Sequence, residues 1–195
     1  MQNNVIIVAG GKGLRMGNEL PKQFIAIAGK PVLMHTIEAF YNFDRRMNSV
    51  VFLPDDFVNY WERTCREDDF KIYHTIVTGG ETRFHSVKNG LEQVQQGLVA
   101  VHDAARPLLS VNLIEKAFQE AALHKAVIPV IDVADSLRKV VNETDSEIID
   151  RSNIKQVQTP QVFKCHLIKE AYKLDYNSSF TDDASVIESN GGKIY

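Results

Sequence analysis

The sequence predicts an α/β protein in which helices cover both faces of a Rossmann-like, doubly wound and mostly parallel β-sheet. Short runs of β-branched and apolar residues alternate with stretches of helical periodicity, which is typical of parallel strands joined by crossover helices. The first run, residues 5–9, is apolar throughout and precedes a glycine, as expected of a strand buried on both faces. The alternation stops after Ile131, where polar strand-like segments predict a protruding β-arm at about residues 136–158.

Five strands of the sheet are predicted from apolar runs that end at turn-forming or polar residues: residues 5–9, 50–53, 72–77, 98–101 and 126–131. Helices between them are predicted from apolar residues at helical spacing, with Pro31 as a first helical residue and with Asp55 and Ser110 as N-caps. Their inward-facing residues are Leu33, Ile37 and Phe40, then Phe57, Tyr60 and Thr64, then Val87, Leu91 and Val94, and then Ile114, Ala117 and Ala121. Two more helices follow the arm near residues 167–172 and 183–189, and Gly191 ends the second.

Length and composition restrict the possible functions. The 195 residues suffice for one well-buried domain, so we expect residues 1–195 to form a single domain. No apolar run approaches the ~20 residues of a membrane-spanning helix, and no basic leader precedes the first strand. The net charge of −3 argues against general nucleic-acid binding, which needs a broad basic surface. The two cysteines lack the spacing of a disulfide framework or zinc site, which favours a reducing cytoplasm. Taken together, these observations lead us to expect a cytoplasmic protein with no membrane or nucleic-acid partner.

Three unusual loops directly follow predicted strands: residues 10–17, 78–83 and 102–107. Because ligands of an open parallel sheet bind outside the carboxyl ends of its strands, all three loops should open on the same edge. Considered alone, Asp103 could be a turn-forming carboxylate and Arg106 half of a surface ion pair. Their place at the end of a strand instead indicates a shared binding site.

The first of these loops has the properties of a phosphate-binding turn. Its glycines let backbone N–H groups approach phosphate oxygens, and Lys12, Arg15 and Lys22 place positive charge beside it. A Walker loop is excluded because Lys12 is followed by glycine rather than Ser or Thr, and a dinucleotide-binding fingerprint fails at Met16. The alternative is a tight strand-to-helix turn whose basic side chains are only solvated.

The ordered set of motifs resembles the family of sugar-phosphate cytidylyltransferases. The resemblance extends from Val5 to the end of the chain and rests on the order and spacing of the motifs as well as on their residues. The motifs are Gly-Gly-x-Gly-x-Arg-Met-Gly at residues 10–17, Pro21-Lys22-Gln23, Gly79-Gly80-Glu81-Thr82-Arg83 with Ser86-Val87, His102-Asp103-Ala104-Ala105-Arg106-Pro107, Asp150-Arg151, Thr159-Pro160-Gln161 and Thr181-Asp182-Asp183-Ala184-Ser185. The substrate that the resemblance implies is 2-C-methyl-D-erythritol 4-phosphate.

The resemblance implies that the substrate's phosphate oxygen attacks the α-phosphorus of CTP and displaces pyrophosphate. Such a site must compensate charge and position the reactants, and it needs no activated side-chain nucleophile. By resemblance, the catalytic cations are Arg15 and Lys22, and a divalent cation, Mg²⁺, is held mainly through the CTP phosphates. The implied nucleotide-binding residues are Ala9, Gly10, Gly11, Gly13, Gly80, Glu81, Ser86, Asp103 and Ala104. The implied substrate-binding residues are Asp103, Arg106, Ser136, Arg151 and Thr181. We interpret His102 as a packing or orienting residue, since the histidines show no metal-ligand spacing.

The resemblance also implies a homodimer. In the family the arm clasps a second subunit, so Arg151 would reach the partner's substrate phosphate; the alternative is an exposed hairpin with a solvated arginine. Ser136 stands where the family usually has threonine, and Thr181 would both contact phosphate and cap a helix. Family members continue beyond the position of Tyr195 into a strand and helix with a phosphate-binding lysine, so we expect the present sequence to be truncated.

Three other functions share part of this pattern. A ribitol-5-phosphate cytidylyltransferase is the nearest alternative, but such proteins usually have Ser-Val where this chain has Ala104-Ala105. A non-catalytic nucleotide-binding protein is an alternative of another class, against which Arg15 and Lys22 argue. An NAD-dependent oxidoreductase is disfavoured by the failed fingerprint and by the lack of an acidic ribose ligand at the expected distance.

Overall fold

A six-stranded β-sheet forms the centre of the molecule. The computed structural model describes residues 1–10 and 20–195. The strands in these ranges are β1 (Asn3–Val8), β2 (Ala26–Ile27), β3 (Lys30–Pro31), β4 (Asn48–Leu53), β5 (Thr75–Thr78), β6 (Leu98–Asp103), β7 (Ala126–Val127), β8 (Val130–Asp132), β9 (Leu137–Val140), β10 (Ser146–Ile149), β11 (Lys155–Val157) and β12 (Gln161–Lys164). The central sheet has the order β5-β4-β1-β6-β12-β7. β1 is parallel to β4 and β6, and β4 to β5, whereas β12 is antiparallel to both of its neighbours. The predicted, mostly parallel sheet is confirmed, and β12 is a strand that the sequence pattern did not reveal.

Helices cover both faces of this sheet. They are α1 (Val32–Phe43), α2 (Asp55–Glu67), α3 (Arg83–Glu92), α4 (Val111–His124), α5 (Cys165–Ala171) and α6 (Asp183–Ser189). Successive strand residues point to opposite faces, so Val5 and Ile7 pack with α1, α2 and α4, whereas Ile6 packs with α3, α5 and α6. The doubly wound α/β fold is thus confirmed. Within the described ranges, no helix combines the length and the apolar character needed to cross a membrane.

The starts of two helices differ from prediction. Pro31 precedes α1 instead of opening it, because its ψ of 139° is extended and it pairs within the small β2–β3 sheet. Pro54, not Asp55, occupies the cap position of α2, and Asp55 lies in the first turn, where the helix dipole favours a carboxylate. Ser110 caps α4 as predicted, and its hydroxyl oxygen accepts a backbone N–H of the first turn at 3.2 Å. On α2, the fully buried side chain is Trp61, which the predicted inward-facing set omitted.

Two strands are shorter than predicted. β5 begins at Thr75 rather than Ile72, because the carbonyl oxygen of Ile72 accepts a hydrogen bond from its neighbour His74 at 2.8 Å instead of joining the sheet ladder. The run at residues 126–131 is divided at Pro129, which has no N–H for the ladder. As a result β7 remains in the central sheet, whereas β8 pairs with β11.

The segment between β7 and β12 forms an arm of two small antiparallel sheets, β8–β11 and β9–β10. The β9–β10 pair confirms the predicted hairpin. Apolar side chains on the arm face outward: Val140 is 74% exposed and Ile148 is 80% exposed. Exposed apolar residues on a hairpin are typical of a surface that binds another part of a protein or another molecule.

Candidate active site

The loops that follow β5 and β6 meet the described beginning of the loop after β1 at the carboxyl edge of the sheet. A Cβ placed on Gly10 would lie 3.9 Å from the hydroxyl oxygen of Ser86, and one placed on Gly80 would lie 3.0 Å from the same atom. The Ala104 N–H donates to the carbonyl oxygen of Val8 at 3.0 Å, which ties the loop after β6 to the end of β1. The described parts of the three loops therefore lie against one another at this edge.

Gly80 is packed so closely that no side chain fits at its position. Its φ of +130° is rarely adopted by L-residues, and an added Cβ would lie 2.7 Å from the backbone nitrogen of Ser86. The Ser86 hydroxyl donates to the carbonyl oxygen of Thr82 at 2.9 Å, and Thr82 caps α3. The β5–α3 loop and the first turn of α3 are thus fixed against each other.

Lys22 is held close to the end of β1. It begins a 3₁₀ turn, Lys22–Phe24, and is half-buried. The next residue, Gln23, is buried and donates from Nε2 to the carbonyl oxygen of Ala9 at 2.5 Å. Lys22 therefore lies near the end of β1, where the predicted phosphate-binding loop begins. The predicted site residues outside the described ranges are Gly11, Gly13 and Arg15.

Asp103 and Arg106 are brought together at the end of β6. Asp103 Oδ2 accepts a hydrogen bond from Arg106 Nε at 2.9 Å, and Asp103 Oδ1 lies 3.7 Å from Arg83 Nη2. Arg106 Nη1 also donates to the side-chain oxygen of Gln158, which follows β11 at the base of the arm. Asp103 is about one-third exposed, so its carboxylate is paired and still accessible to a ligand.

Arg83 and Asp183 form an ion pair to which the sequence analysis assigned no role. Arg83 Nη2 donates to Asp183 Oδ2 at 2.6 Å, and the hydroxyl of Tyr172 donates to Asp183 Oδ1 at 2.6 Å. Burial alone would lower the pKa of Arg83, but the buried Asp183 carboxylate, aided by Asp103, raises it above its usual range. Burial and the same carboxylate raise the pKa of Tyr172. Both partners stand in motifs that support the resemblance, but they are 100 positions apart, so sequence alone gave no sign that they pair.

His102 is buried within the sheet edge, which supports an orienting role. Its Nε2 lies 3.1 Å from the carbonyl oxygen of Arg106 and its Nδ1 lies 3.0 Å from the Thr159 hydroxyl oxygen. The carbonyl can only accept, so Nε2 carries the proton and Nδ1 accepts the hydroxyl hydrogen. Thr159 in turn accepts from the Asp103 N–H at 3.4 Å. Burial lowers the pKa of His102 to about 4, so the imidazole is neutral at pH 7.

The remaining predicted residues, Glu81, Thr181, Ser136 and Arg151, are all exposed. Thr181 does not cap α6: Asp182 does, by accepting the N–H of Ser185 at 2.9 Å, because its side chain stands directly before the first turn. Thr181 precedes this cap.

Arg151 and Ser136 lie in the arm. Arg151 donates to the carbonyl oxygen of Ala134, close in sequence to Ser136. Among the described residues, no hydrogen bond or ion pair that we observe joins either of them to Asp103 or Arg106.

A divalent cation would find the partly exposed carboxylate of Asp103 beside the arginines of this edge. No group of three or more His, Cys, Asp or Glu that could hold a metal occurs in the described part of the chain. Mg²⁺ usually keeps several waters and is bound through one or two carboxylates together with substrate phosphates. The edge fits a Mg²⁺ ion that is held chiefly by a triphosphate.

Comparisons with known proteins point to one family. The family model of 2-C-methyl-D-erythritol 4-phosphate cytidylyltransferase (IspD) matches residues 4–195. The chain is 50% identical to a protein of that name from Bacteroides thetaiotaomicron and 52% identical to one from Bacteroides fragilis. Each alignment of 196 residues covers 100% of this chain and 89% of the relative.

Solved structures give the same result. The 2-C-methyl-D-erythritol 4-phosphate cytidylyltransferase of Thermus thermophilus superposes with a TM-score of 0.77 at 29% identity, covering 100% of this chain and 87% of that one. The bifunctional IspDF of Campylobacter jejuni superposes with a TM-score of 0.83 at 29% identity, covering 100% of this chain and 49% of that one. The fold, the edge and these similarities define a nucleotidyltransferase enzyme. The chain belongs to the 2-C-methyl-D-erythritol 4-phosphate cytidylyltransferase family, whose members serve the non-mevalonate pathway of isoprenoid synthesis.

Proposed function

We propose that this chain transfers CMP from CTP to 2-C-methyl-D-erythritol 4-phosphate and releases pyrophosphate. The observation that carries the proposal is the family match over residues 4–195. The convergence of Gly10, Gly80, Ser86 and Asp103 on one edge of the sheet supports it.

In the proposed reaction, a phosphate oxygen of the substrate forms a bond to the α-phosphorus of CTP. The bond from that phosphorus to the β-phosphate oxygen breaks, and its electron pair leaves with pyrophosphate. The nucleophile is already anionic, so the enzyme's task is to compensate charge and align the reactants. We assign the charge compensation to Arg15, whose planar guanidinium suits phosphate, and to Lys22, a compact cation. Mg²⁺ held on the CTP phosphates would offset the charge of the departing pyrophosphate.

The nucleotide would lie across the loops after β1, β5 and β6. We assign its contacts to Ala9 and to Gly10, Gly11, Gly13, Gly80, Glu81, Ser86, Asp103 and Ala104. The packing of Gly80 against Ser86, which leaves no space for a Cβ, supports a fixed position of this loop beside the nucleotide. The first turn of α3 would present Ser86 to the base, and Asp103 would face the ribose and the phosphates.

The phosphorylated polyol would be held by Asp103, Arg106 and Thr181 of one subunit and by Ser136 and Arg151 of the arm. We infer a homodimer in which the arm reaches the neighbouring site. The outward apolar side chains Val140 and Ile148 support such a contact. The contact of Arg106 with Gln158 supports a link between the arm and the edge. A cytoplasmic location is part of the proposal and is compatible with the free thiols of Cys65 and Cys165.

The test is pyrophosphate release with CTP, Mg²⁺ and either 2-C-methyl-D-erythritol 4-phosphate or ribitol 5-phosphate. We expect turnover with the first substrate and a decrease on the order of 10²–10³ for Arg15→Ala and for Lys22→Ala, the usual cost of losing one preorganised charged group. Lys30→Ala is the matched control, because Lys30 pairs with Glu38 away from the edge and should keep normal turnover. Preference for ribitol 5-phosphate would instead support the alternative substrate. Binding of CTP without turnover would favour a non-catalytic nucleotide-binding protein.

The dimer is tested separately. Light scattering should give twice the mass of one chain. An inactive Lys22→Ala chain mixed with an inactive Arg151→Ala chain should regain activity, because each hybrid dimer then contains one site with both side chains intact. A monomer with full activity would contradict the shared site.

A further inference from the structure

Charged and polar side chains form a continuous network of ion pairs and hydrogen bonds across the carboxyl edge, from α6 to the base of the arm. Asp183 pairs with Arg83 at 2.6 Å, Arg83 lies 3.7 Å from Asp103, and Asp103 pairs with Arg106 at 2.9 Å. Arg106 then donates to Gln158. This network therefore connects elements on one face of the sheet with the segment that leads out of the arm.

Asp183 is the fixed end of this network. Its side chain has no solvent exposure and it accepts hydrogen bonds from both Arg83 and Tyr172. The capping box of α6, formed by Asp182 and Ser185, holds the adjacent backbone, and Gln161 of β12 donates to Asp182 at 2.8 Å. A buried carboxylate with this support can hold a guanidinium in one orientation.

Asp103 lies in the middle of the network and is the partly exposed carboxylate that needs orientation. Its carboxylate lies between two arginines, of which Arg106 is the more exposed, at 46% against 32% for Arg83. Arg106 contacts Asp103 three positions away in the same loop, whereas Arg83 reaches it from α3. Among the described residues, removal of the Arg83 charge would leave Arg106, which leads to the arm, as the ion-pair partner of Asp103.

We propose that Arg83 is a positioning residue for Asp103, with Asp183 as its anchor. The inference rests on the proposed function, in which Asp103 faces the nucleotide and the substrate. Arg83 then acts on catalysis through Asp103, and the Arg83–Asp183 pair serves more than the stability of the fold.

A double-mutant cycle tests this proposal with the pyrophosphate assay. We expect Arg83→Gln to lower kcat/KM for CTP by about 10- to 100-fold, the scale of a misplaced reacting group. Once Asp103→Asn has removed the carboxylate, adding Arg83→Gln should cost less than about 3-fold, because groups that act together are not additive. In the protein that retains Asp103, Arg83→Lys keeps the positive charge and should therefore lower kcat/KM much less than Arg83→Gln does.

Tyr172→Phe is the matched structural control. It removes the other hydrogen bond to Asp183 without touching Arg83 or Asp103, so it should lower the unfolding temperature while kcat/KM stays near normal below that temperature. Equal kinetic losses for Tyr172→Phe and Arg83→Gln would mean that both act through stability alone and would overturn the proposal. An undiminished effect of Arg83→Gln in the Asp103→Asn background would also overturn it.

Two further results separate the possible failures. If Arg83→Gln does not fold, the same cycle with Arg83→Lys decides, since a loss that persists without the carboxylate contradicts positioning. A wild-type protein that releases no pyrophosphate would overturn the proposed function and this inference together, whereas an active wild type with an unaffected Arg83→Gln variant would overturn the inference alone.

Discussion

His102 should make the folded protein sensitive to acid. The imidazole is fully buried, and as a neutral group it donates to the Arg106 carbonyl and accepts from the Thr159 hydroxyl. The ring of Phe40 covers it edge-on at 5.3 Å. A second proton would place a positive charge in this apolar surrounding and would displace the hydroxyl hydrogen at Nδ1.

The magnitude follows from the two pKa values. Burial lowers the pKa of His102 from 6.5 to about 4 in the folded protein, so between these values the unfolded chain binds more protons. Stability therefore rises with pH across this window and is lost as pH falls below 6.5. The difference between 6.5 and about 4 corresponds to a loss on the order of 3 kcal/mol, complete below pH 4. At pH 5 the loss through His102 is about 2 kcal/mol relative to pH 7.5.

Urea unfolding of the wild type and of His102→Gln at pH 7.5 and pH 5 measures this effect. The other titrating groups are common to both proteins, so the wild type should lose about 2 kcal/mol more than the variant between the two pH values. NMR of the imidazole should show a midpoint well below 6.5. Equal losses in both proteins, or a His102 midpoint near 6.5, would refute the reasoning.

Three further predictions concern single side chains. Gly80→Ala should lower the free energy of unfolding by about 2 kcal/mol and weaken CTP binding. Gly79→Ala should lower it by only about 1 kcal/mol, because Gly79 has a φ of +79° but open space around it. Thermal unfolding and calorimetry with CTP compare the two variants, and equal losses of stability would contradict the predicted clash at Gly80. Ser110→Ala should cost about 1 kcal/mol in urea unfolding by removing the α4 cap, and Ser110→Thr should restore most of it; no loss would mean that the cap contributes nothing. Trp61→Phe should lower the free energy of unfolding by about 1–3 kcal/mol, because the indole N–H donates to half-buried His74 at 2.9 Å and its removal leaves that acceptor without its donor. An unchanged stability in urea unfolding would exclude that contribution.

Local patterns predicted the fold because burial imposes a period on the sequence. The continuous apolar runs of β1 and β4 reflect strands covered on both faces, and the helical spacing of Leu33, Ile37 and Phe40 reflects a helix covered on one. β12 escaped prediction because its four residues are too few to show a period. Pro129 divides β7 from β8 within the sequence itself, but the strand with which each one pairs lies outside any local window.

The sequence by itself determined the class of fold, the edge at which its loops converge and the family to which the motifs point. Order along the chain is enough for this, because parallel strands place the loops that follow them on one side. Only the tertiary structure decided that Arg83 meets Asp183, that Gly80 abuts Ser86, and that Thr159 completes the hydrogen bonds of His102. These contacts join residues on different elements, and the pairing of charges and hydrogen-bonding groups depends on distance in space, which sequence separation does not encode.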